Sequence, residues 1–245
     1  MGRVSRGLCQ NPALPPLSAE TDMANLRPLP LPLEDIAMEQ YLYFGSLGLH
    51  ERQYLIPNFV GLALEPRHDR EIRHDLTSAL PHAADSIAKI QAQDVLEHIP
   101  FDKVPFVLDE IYRVLKPGGV FRLSVPDYRS PPQKRRSLYD ARGRIIGDLL
   151  MGATSYLDEA TGDARVRFSQ DGDAHLWFPR YELITHLVLK SELRKAQIHF
   201  YQGFLDDHTY LCEPVPEDEM HVQRAAPHDR RAGGAPTSII ADFVK

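Results

Sequence analysis

The sequence predicts an α/β protein built on a mostly parallel sheet, and residues 85–127 carry most of this prediction. Residues 87–93 form a short β-rich run that is too brief for a stable helix. Apolar residues then recur at the spacing of one helix face over residues 104–115, and residues 120–125 form a second apolar run with period two. Two strands joined by a helical crossover are expected to be parallel and right-handed.

Both ends of the predicted helix in this unit carry residues suited to helix termini. Pro105 falls in the first turn of the predicted helix, where its missing N–H costs no hydrogen bond. The helix is expected to end at residues 116–119 (KPGG), because the proline cannot continue it and glycine adopts the positive φ of a turn. Ligands of such sheets bind beyond the carboxyl ends of the strands, which here carry Gln93-Asp94 and Pro126-Asp127.

Further elements are predicted on both sides of this unit. Additional strands are expected over residues 41–44, 59–64, 71–74, 196–201 and 238–244, which gives seven in total. Helical character near residues 138–151 and an amphipathic pattern over residues 178–193 predict further helices. The expected architecture is a seven-stranded, mostly parallel sheet with helices on both faces and a cap inserted after strand five.

Composition narrows the class of protein. The chain has 245 residues, of which 43% are hydrophobic, and a net charge of −6. It is long enough for one sizeable domain, and it lacks an apolar run of the roughly 18 residues that a membrane span needs. The negative charge argues against a general nucleic-acid binder. Cys9 and Cys212 lack metal-type spacing, which favours a reducing, cytoplasmic location.

The chain is predicted to divide into a leader and one domain. Six prolines within residues 1–36 exclude regular helix and sheet over most of that length and predict a flexible leader. Residues 37–245 are expected to form the domain. The polar stretch at about residues 128–174 is longer than a plain connection, and it predicts a cap or lid over the site.

Two motifs within residues 85–127 resemble class I S-adenosylmethionine-dependent methyltransferases. They are Asp94-Val95-Leu96-Glu97-His98-Ile99-Pro100, after the fourth strand, and Arg113-Val114-Leu115-Lys116-Pro117-Gly118-Gly119, before the fifth. The resemblance is to the type 11-like group with a short first helix. It implies a Rossmann-like fold, S-adenosylmethionine as cofactor, and methyl transfer to an acceptor, which we expect to be a small molecule or a glycan. The alternative is a non-catalytic binding module of the same fold.

The residues at the predicted strand ends agree with such a cofactor. These ends are rich in carboxylates and poor in lysine and arginine, so they attract a cationic ammonium or sulfonium and repel a pyrophosphate. Residues 45–48 (GSLG) also lack the G-x-G-x-x-G spacing that binds a dinucleotide phosphate. Both observations disfavour a nicotinamide-dependent enzyme.

The resemblance assigns cofactor-binding roles by position. Gly45, Ser46 and Gly48 match the glycine-rich loop. Asp75 and Leu76 match the pair after strand three that meets the adenine. Gln93 and Asp94 match the residues after strand four that border the methionine. Asp75 has an alternative interpretation as a turn or helix-capping acid.

Two departures concern the ribose and the first helix. The family usually carries an acid at the end of strand two, where this chain has Ala63. Glu65 lies two residues later, on the same face of the strand, and either replaces that acid or is a surface residue. Only residues 49–58 connect the glycine loop to strand two, so a full first helix is not expected.

The acceptor side offers three candidate catalytic residues. His98, Asp127 and His175 are candidates to accept a proton from an oxygen or nitrogen acceptor, and Tyr128 is a further candidate. His98 is equally consistent with a structural histidine. The aromatic residues after His175 either line an acceptor pocket or pack a helix onto the sheet. Histidines near the C-terminus lack metal-type spacing, and no metal is predicted.

Overall fold

A computed structural model describes residues 39–169 and 172–245, so the predicted leader lies outside the described residues. The helices are α1 (Val104–Val114), α2 (Pro131–Arg136) and α3 (Tyr181–Leu189). The strands, in chain order, are β1 (Tyr41–Phe44), β2 (Phe59–Ala63), β3 (Glu71–Arg73), β4 (Ile87–Gln93), β5 (Leu115–Pro126), β6 (Ser137–Tyr139), β7 (Ile145–Asp148), β8 (Ala153–Leu157), β9 (Ala164–Phe168), β10 (Gln197–Phe204), β11 (Tyr210–Cys212) and β12 (Ser238–Val244).

The main sheet of the described residues has eight strands, in the order β11-β10-β12-β5-β4-β1-β2-β3. Strands β1 to β5 pair in parallel, whereas β12 is antiparallel to both β5 and β10. The predicted α/β class with a mostly parallel sheet is therefore confirmed. The eighth strand, β11, pairs only with β10 at the edge. Its three residues are too few to show a period in the sequence.

The helix after β4 forms as predicted and packs on one face of the sheet. Val107 and Ile111 of α1 share a buried core with Leu187 of α3 and with Phe121 and Leu123 of β5. The strand β5 begins before residues 116–119, which bulge out of its pairing with β4, and Gly118 there has a φ of 77°. Glycine adopts this conformation without the steric cost of a side chain.

The opposite face is covered without a long helix, which differs from the prediction of helices on both faces. A 3₁₀ helix (Arg52–Leu55) packs Tyr54 there, in agreement with the expected absence of a full first helix. The rest of this cover comes from residues 213–237, here called the cover segment. Its Met220 and Val222 enter small apolar clusters on the sheet.

Polar side chains of the strands attach the cover segment to the sheet. Arg122 of β5 is buried and donates to the carbonyl of Met220 and to the carboxylates of Asp218 and Asp242. Gln91 of β4 donates to the carbonyl of His221, 2.8 Å away. These bonds satisfy main-chain groups that would otherwise be buried without partners.

The region between β5 and α3 holds α2 and two hairpins, β6–β7 and β8–β9. The predicted helix near residues 138–151 is wrong. Asp140 accepts hydrogen bonds from the amides of Arg142 and Arg144, and Gly143 has a φ of 73°, so a tight turn joins β6 to β7. This local turn chemistry outweighs the weak helical pattern. The cap boundaries at residues 128–174 stay a prediction.

The amphipathic pattern predicted over residues 178–193 corresponds to α3, which is followed by a 3₁₀ helix at Glu192–Lys195. None of the helices in residues 39–169 and 172–245 is long and apolar enough to cross a bilayer.

Candidate functional site

The glycine loop after β1 bends back toward the sheet. Gly45 has a φ of 87°, and a Cβ at this position would lie 3.1 Å from Cγ2 of Val95. The loop end of β1 and the residues after β4 are therefore in close contact, which a side chain at Gly45 would disturb. Gly48 is half-buried and Ser46 is exposed, so the loop has an accessible surface.

Glu71 of β3 holds this loop in place, and sequence reasoning missed it. Its carboxylate accepts hydrogen bonds from the Ser46 hydroxyl at 2.8 Å, the Leu47 amide at 2.7 Å and the Arg67 amide at 2.6 Å. Burial raises the pKa of Glu71, but these hydrogen bonds outweigh it and lower the pKa below its usual range. A glutamate that opens a short strand gave no sequence signal for this role.

The carboxyl end of β2, which is predicted to border the ribose, carries no acid. Ala63 is buried and ends the strand, and its carbonyl accepts from the amide of His74. Glu65 lies in the exposed turn beyond it. The Glu65 side chain therefore makes no contact within the described residues that would fix its position at the end of β2.

The carboxyl end of β3 is followed by a turn stabilised by Asp75. Oδ1 of Asp75 accepts from the amide and the hydroxyl of Thr77, at 2.9 and 2.8 Å, and these bonds lower its pKa. Asp75 is exposed, whereas Leu76 is buried in the core. The turn-capping interpretation of Asp75 describes its present contacts, and its predicted contact with adenine stays a prediction.

The carboxyl end of β4 carries the most unusual residue of this edge, Asp94. Its φ of 51° lies in the left-handed region, which aspartate tolerates better than most residues. One carboxylate oxygen, Oδ2, is 2.7 Å from Nη1 of Arg224, and the other, Oδ1, is buried and has no hydrogen-bond partner among the described residues. Burial raises the pKa of Asp94, although Arg224 opposes this shift.

Arg224 belongs to the cover segment, which thereby reaches the predicted cofactor edge. Beside it, the side-chain amide of Gln93 donates to the Tyr43 hydroxyl at 3.1 Å and its oxygen accepts from the Gln223 amide at 3.0 Å. Glu51, in the connection after the glycine loop, has its pKa raised by burial and by Asp94. Strands β1 and β4 thus end in a group of two carboxylates and one guanidinium.

Asp127 at the end of β5 is buried, and both of its oxygens are engaged. Oδ2 accepts from the Phe204 amide at 2.6 Å and Oδ1 from the Arg129 amide at 2.8 Å. Burial raises the pKa of Asp127 to about 6, although these hydrogen bonds oppose the shift. Asp127 therefore joins β5 to β10, and its role as a proton acceptor stays a prediction.

The structure brings the other two catalytic candidates together with a residue that sequence reasoning did not single out. The rings of His98 and His175 are 4.8 Å apart, and Nε2 of His175 is 3.7 Å from Oε1 of Glu97. Burial lowers the pKa of both histidines, that of His175 to about 3. Nδ1 of His175 is 2.6 Å from the Tyr128 hydroxyl.

The aromatic run after His175 packs against the protein. Nε1 of Trp177 donates to the carbonyls of Leu96 and Ile99, and the ring lies in the core beside Phe101. The packing interpretation therefore describes Trp177, which is only 5% exposed.

The basic residues near β6 are paired with acids. Arg129 binds Glu182, Lys134 binds Asp207, and Arg136 binds the buried Asp148. A cavity of about 500 Å³ lies between the two hairpins, lined by Asp140, Ala141, Arg142, Arg144, Ile146, Asp163, Ala164, Arg165, Val166 and Phe168.

Comparison with known proteins bears on the part of the carboxyl edge formed by β2, β3 and β4. Residues 55–123 match a family model described as a methyltransferase domain. Over these residues the chain is similar to a methyltransferase domain, which agrees with the predicted family. The matched range covers β2 to β4, α1 and most of β5, and leaves out the glycine loop and the region after β5. This match agrees with the predictions of a methyltransferase family, of methyl transfer as the class of reaction and of S-adenosylmethionine as cofactor.

Solved methyltransferase structures are also similar to this chain. An S-adenosylmethionine-dependent methyltransferase from Mesorhizobium loti is 16% identical with a TM-score of 0.45, covering 84% of this chain and 90% of that one. One from Archaeoglobus fulgidus is 10% identical with a TM-score of 0.46, covering 85% and 87%. The 1,6-didemethyltoxoflavin-N1-methyltransferase of Burkholderia thailandensis is 13% identical with a TM-score of 0.39, covering 84% and 71%. No curated protein matches the sequence.

Proposed function

We propose that this methyltransferase transfers the methyl group of S-adenosylmethionine to a small-molecule or glycan acceptor, with the donor at the carboxyl ends of β1 and β4 and the acceptor beneath the cap. The observation that carries this proposal is the state of Asp94, whose left-handed backbone holds a buried carboxylate oxygen with no partner among the described residues. Such a carboxylate attracts a cation, and the donor carries an ammonium and a sulfonium.

The methionine end of the donor fits the residues present. Gly45 has no side chain, so a ligand can approach its main chain closely. A Cβ at this position would also press on Val95. Gly45, Ser46, Gly48, Gln93 and Asp94 would hold the methionine part, and Asp75 and Leu76 would border the adenine. The donor supplies an activated methyl group, and the protein's contribution is to position the acceptor in line with it.

The ribose end fits less well and supports a second candidate function. Ala63 supplies no carboxylate, Glu65 is exposed, and the nearest buried acid, Glu71, already accepts three hydrogen bonds. A non-catalytic binding module with a degenerate ribose site would have these features. The two candidates differ in whether the donor is bound and consumed.

The acceptor proposal is supported by the pairing of three basic residues near the start of the cap. Arg129, Lys134 and Arg136 each contact a carboxylate, so their charges are largely neutralised within the protein. These three residues therefore give no support to a phosphorylated acceptor, which favours an uncharged one at this end of the cap.

Titration calorimetry with S-adenosylmethionine and S-adenosylhomocysteine tests the donor site. We expect Asp94→Asn to weaken donor binding by about 10- to 100-fold, the loss of a charge-assisted contact worth about 1–3 kcal/mol. Asparagine tolerates the left-handed conformation, so the backbone is expected to be retained.

Asp85→Asn is the matched control. Asp85 is the only other non-glycine residue with positive φ in the described chain, at 58°, and it also pairs with a base, Lys245. Its substitution should leave donor affinity unchanged. Folded wild-type protein that shows no heat at millimolar donor would exclude methyl transfer, whereas binding without S-adenosylhomocysteine formation across a panel of small-molecule and glycan acceptors would favour the binding module.

A further inference from the structure

Three side chains that offer metal-ligand atoms converge beside the end of β4. Ligand atoms of Glu97, His98 and His175 all lie within 4.8 Å of one another. Glu97 and His98 lie in a 3₁₀ helix (Leu96–His98), and His175 is brought to it by the chain before α3. The amide of Leu176 donates to the carbonyl of Glu97 at 2.8 Å, which fixes the two segments against each other.

The hydrogen bonds of the two histidines fix where their protons lie. Nδ1 of His98 is 3.1 Å from the carbonyl oxygen of Ala174, which only accepts, so this bond favours the neutral tautomer with the hydrogen on Nδ1 and the lone pair on Nε2. Tyr128 donates its hydroxyl hydrogen to Asp148, an acid that is itself paired with Arg136. Nδ1 of His175 therefore donates to the Tyr128 oxygen, and its Nε2 also keeps a lone pair.

Glu97 completes a group of acceptors without a donor. It is 0% exposed, and neither of its carboxylate oxygens has a hydrogen-bond partner within residues 39–169 and 172–245. A buried carboxylate without a partner is costly, and two neighbouring imidazole lone pairs do not stabilise it. A cation between the three groups would satisfy all of them.

We propose that Glu97, His98 and His175 bind one divalent transition-metal ion of the Zn²⁺ or Fe²⁺ class. Two imidazoles and one carboxylate are the donor set that such ions prefer, and they leave a coordination position open. The carbonyl of Ala174 and the Tyr128–Asp148 pair act on the Nδ1 atoms of the two ligands, in the manner of the outer partners that orient metal-binding histidines.

The distances are compatible with a bound ion. Tetrahedral ligands at about 2.1 Å from zinc lie about 3.4 Å apart, and Nε2 of His175 is already 3.7 Å from Oε1 of Glu97. This site departs from the sequence-based expectation of no metal, and it does not rest on the proposed function. It makes His98 and His175 ligands instead of proton acceptors.

Metal analysis of the purified protein tests the proposal. After chelation and dialysis, titration with Zn²⁺, and with Fe²⁺ under anaerobic conditions, is expected to give one equivalent bound per chain. Elemental analysis of the purified protein before chelation identifies the native metal, because nitrogen and oxygen ligands bind Zn²⁺ more tightly than Fe²⁺ in any case. Trp177, the only tryptophan of the chain, reports binding because its Nε1 bonds to the carbonyls on both sides of Glu97 and His98. Substitution by Co²⁺ should give visible absorption bands.

Variants separate this site from surface binding. Glu97→Gln keeps the side-chain shape and should weaken binding by roughly 100-fold or more, because it removes a ligand. Tyr128→Phe should weaken it by about 10- to 100-fold, the usual effect of losing an outer partner. Glu213→Gln is the matched control, since Glu213 forms an exposed pair with His199 at 2.9 Å, and it should leave binding unchanged.

Two outcomes would overturn the proposal. In the first, folded protein binds no stoichiometric metal and Glu97→Gln only raises its thermal stability, which would show that a proton alone neutralises Glu97. In the second, binding is unaffected by Glu97→Gln and Tyr128→Phe in proteins with wild-type circular dichroism but falls in Glu213→Gln, which would place the metal on the surface.

Discussion

The two faces of the main sheet are held by different kinds of interaction. On the helical face, apolar side chains of α1 and α3, such as Ile111 and Leu187, share one buried core with β5. On the other face, Arg122 and Gln91 bind carbonyl groups of the cover segment. The first face depends on packing and buried area. The second depends on a polar network whose members are stable only while their partners remain.

This difference matters for the site because the polar face reaches it. The cover segment passes along β4 from Lys89, which pairs with Glu219, to Asp94, which pairs with Arg224. The cation nearest the predicted donor site is therefore supplied by the cover segment and not by the helices. Changes on the polar face are expected to affect both stability and donor binding, whereas changes on the helical face should affect stability alone.

Arg122→Met should cause the largest loss of stability among these substitutions. It leaves Asp242, with a side chain only 10% exposed, without its guanidinium partner, and removes donors to the carbonyls of Pro216 and Met220. Breaking a buried ion pair from one side costs about 3–5 kcal/mol. Urea denaturation should show this loss in the free energy of unfolding.

Two further variants sharpen that measurement. Ile111→Ala, on the helical face, should cost about 2–5 kcal/mol through a cavity alone, with no change in donor affinity. Arg122→Met combined with Asp242→Leu should recover part of the loss, because the buried carboxylate is removed and only the more exposed Asp218 is left without its partner. If the double variant were less stable than Arg122→Met, the polar network could not be what stabilises this face of the sheet.

The same contrast explains which parts of the fold the sequence predicts. The helical face is predictable because its residues repeat at helix and strand periods, as in α1 and in Phe121, Leu123 and Val125 of β5. Arg122 and Ser124 alternate with these and resemble solvent-facing residues, although both are buried. What covers them comes from a segment far along the chain that has no regular secondary structure, and no local pattern marks it.

Asp229→Asn should have an intermediate effect that depends on pH. Burial raises the pKa of Asp229, but hydrogen bonds from Arg231 and Thr237 outweigh it and lower the pKa to about 2, from 3.8 in the unfolded chain. A lowered pKa stabilises the fold above pH 3.8, and this contribution is lost as the pH falls toward 2. Allowing for solvent screening, we expect wild type to be more stable by about 1–2 kcal/mol at pH 7.

Urea denaturation of both proteins between pH 7 and pH 3 tests this expectation. The difference in unfolding free energy should be constant down to about pH 4.5 and then shrink. If the difference in unfolding free energy stays constant to pH 3, the charge of Asp229 does not stabilise the cover segment. Asp102→Asn is a suitable control, because Asp102 is exposed and its side chain makes no hydrogen bond or ion pair within residues 39–169 and 172–245.

The candidate site was only partly predictable for a related reason. The resemblance to methyltransferases pointed to Gly45 and Asp94, because each directly follows a predicted strand in the chain. Glu71, Glu97 and Arg224 depend on contacts between distant segments, such as Ser46 with Glu71 and Glu97 with His175. Residue type and spacing carry no information about these pairings, so burial and hydrogen-bond geometry were needed to find them.

Arg224→Gln should have the smallest effect on stability and a clear effect on binding. The Arg224 side chain is 40% exposed, so its pair with Asp94 is expected to contribute less than about 1 kcal/mol to stability. Removing the guanidinium frees Oδ2 of Asp94 for the donor's ammonium, and donor affinity measured by calorimetry should rise by up to about tenfold. Lys245→Gln, which frees Asp85 in the same way, should leave affinity unchanged. Unchanged or weaker donor binding in Arg224→Gln would mean that the guanidinium does not compete with the donor and instead helps to hold it, in which case the polar face contributes a binding residue to the site.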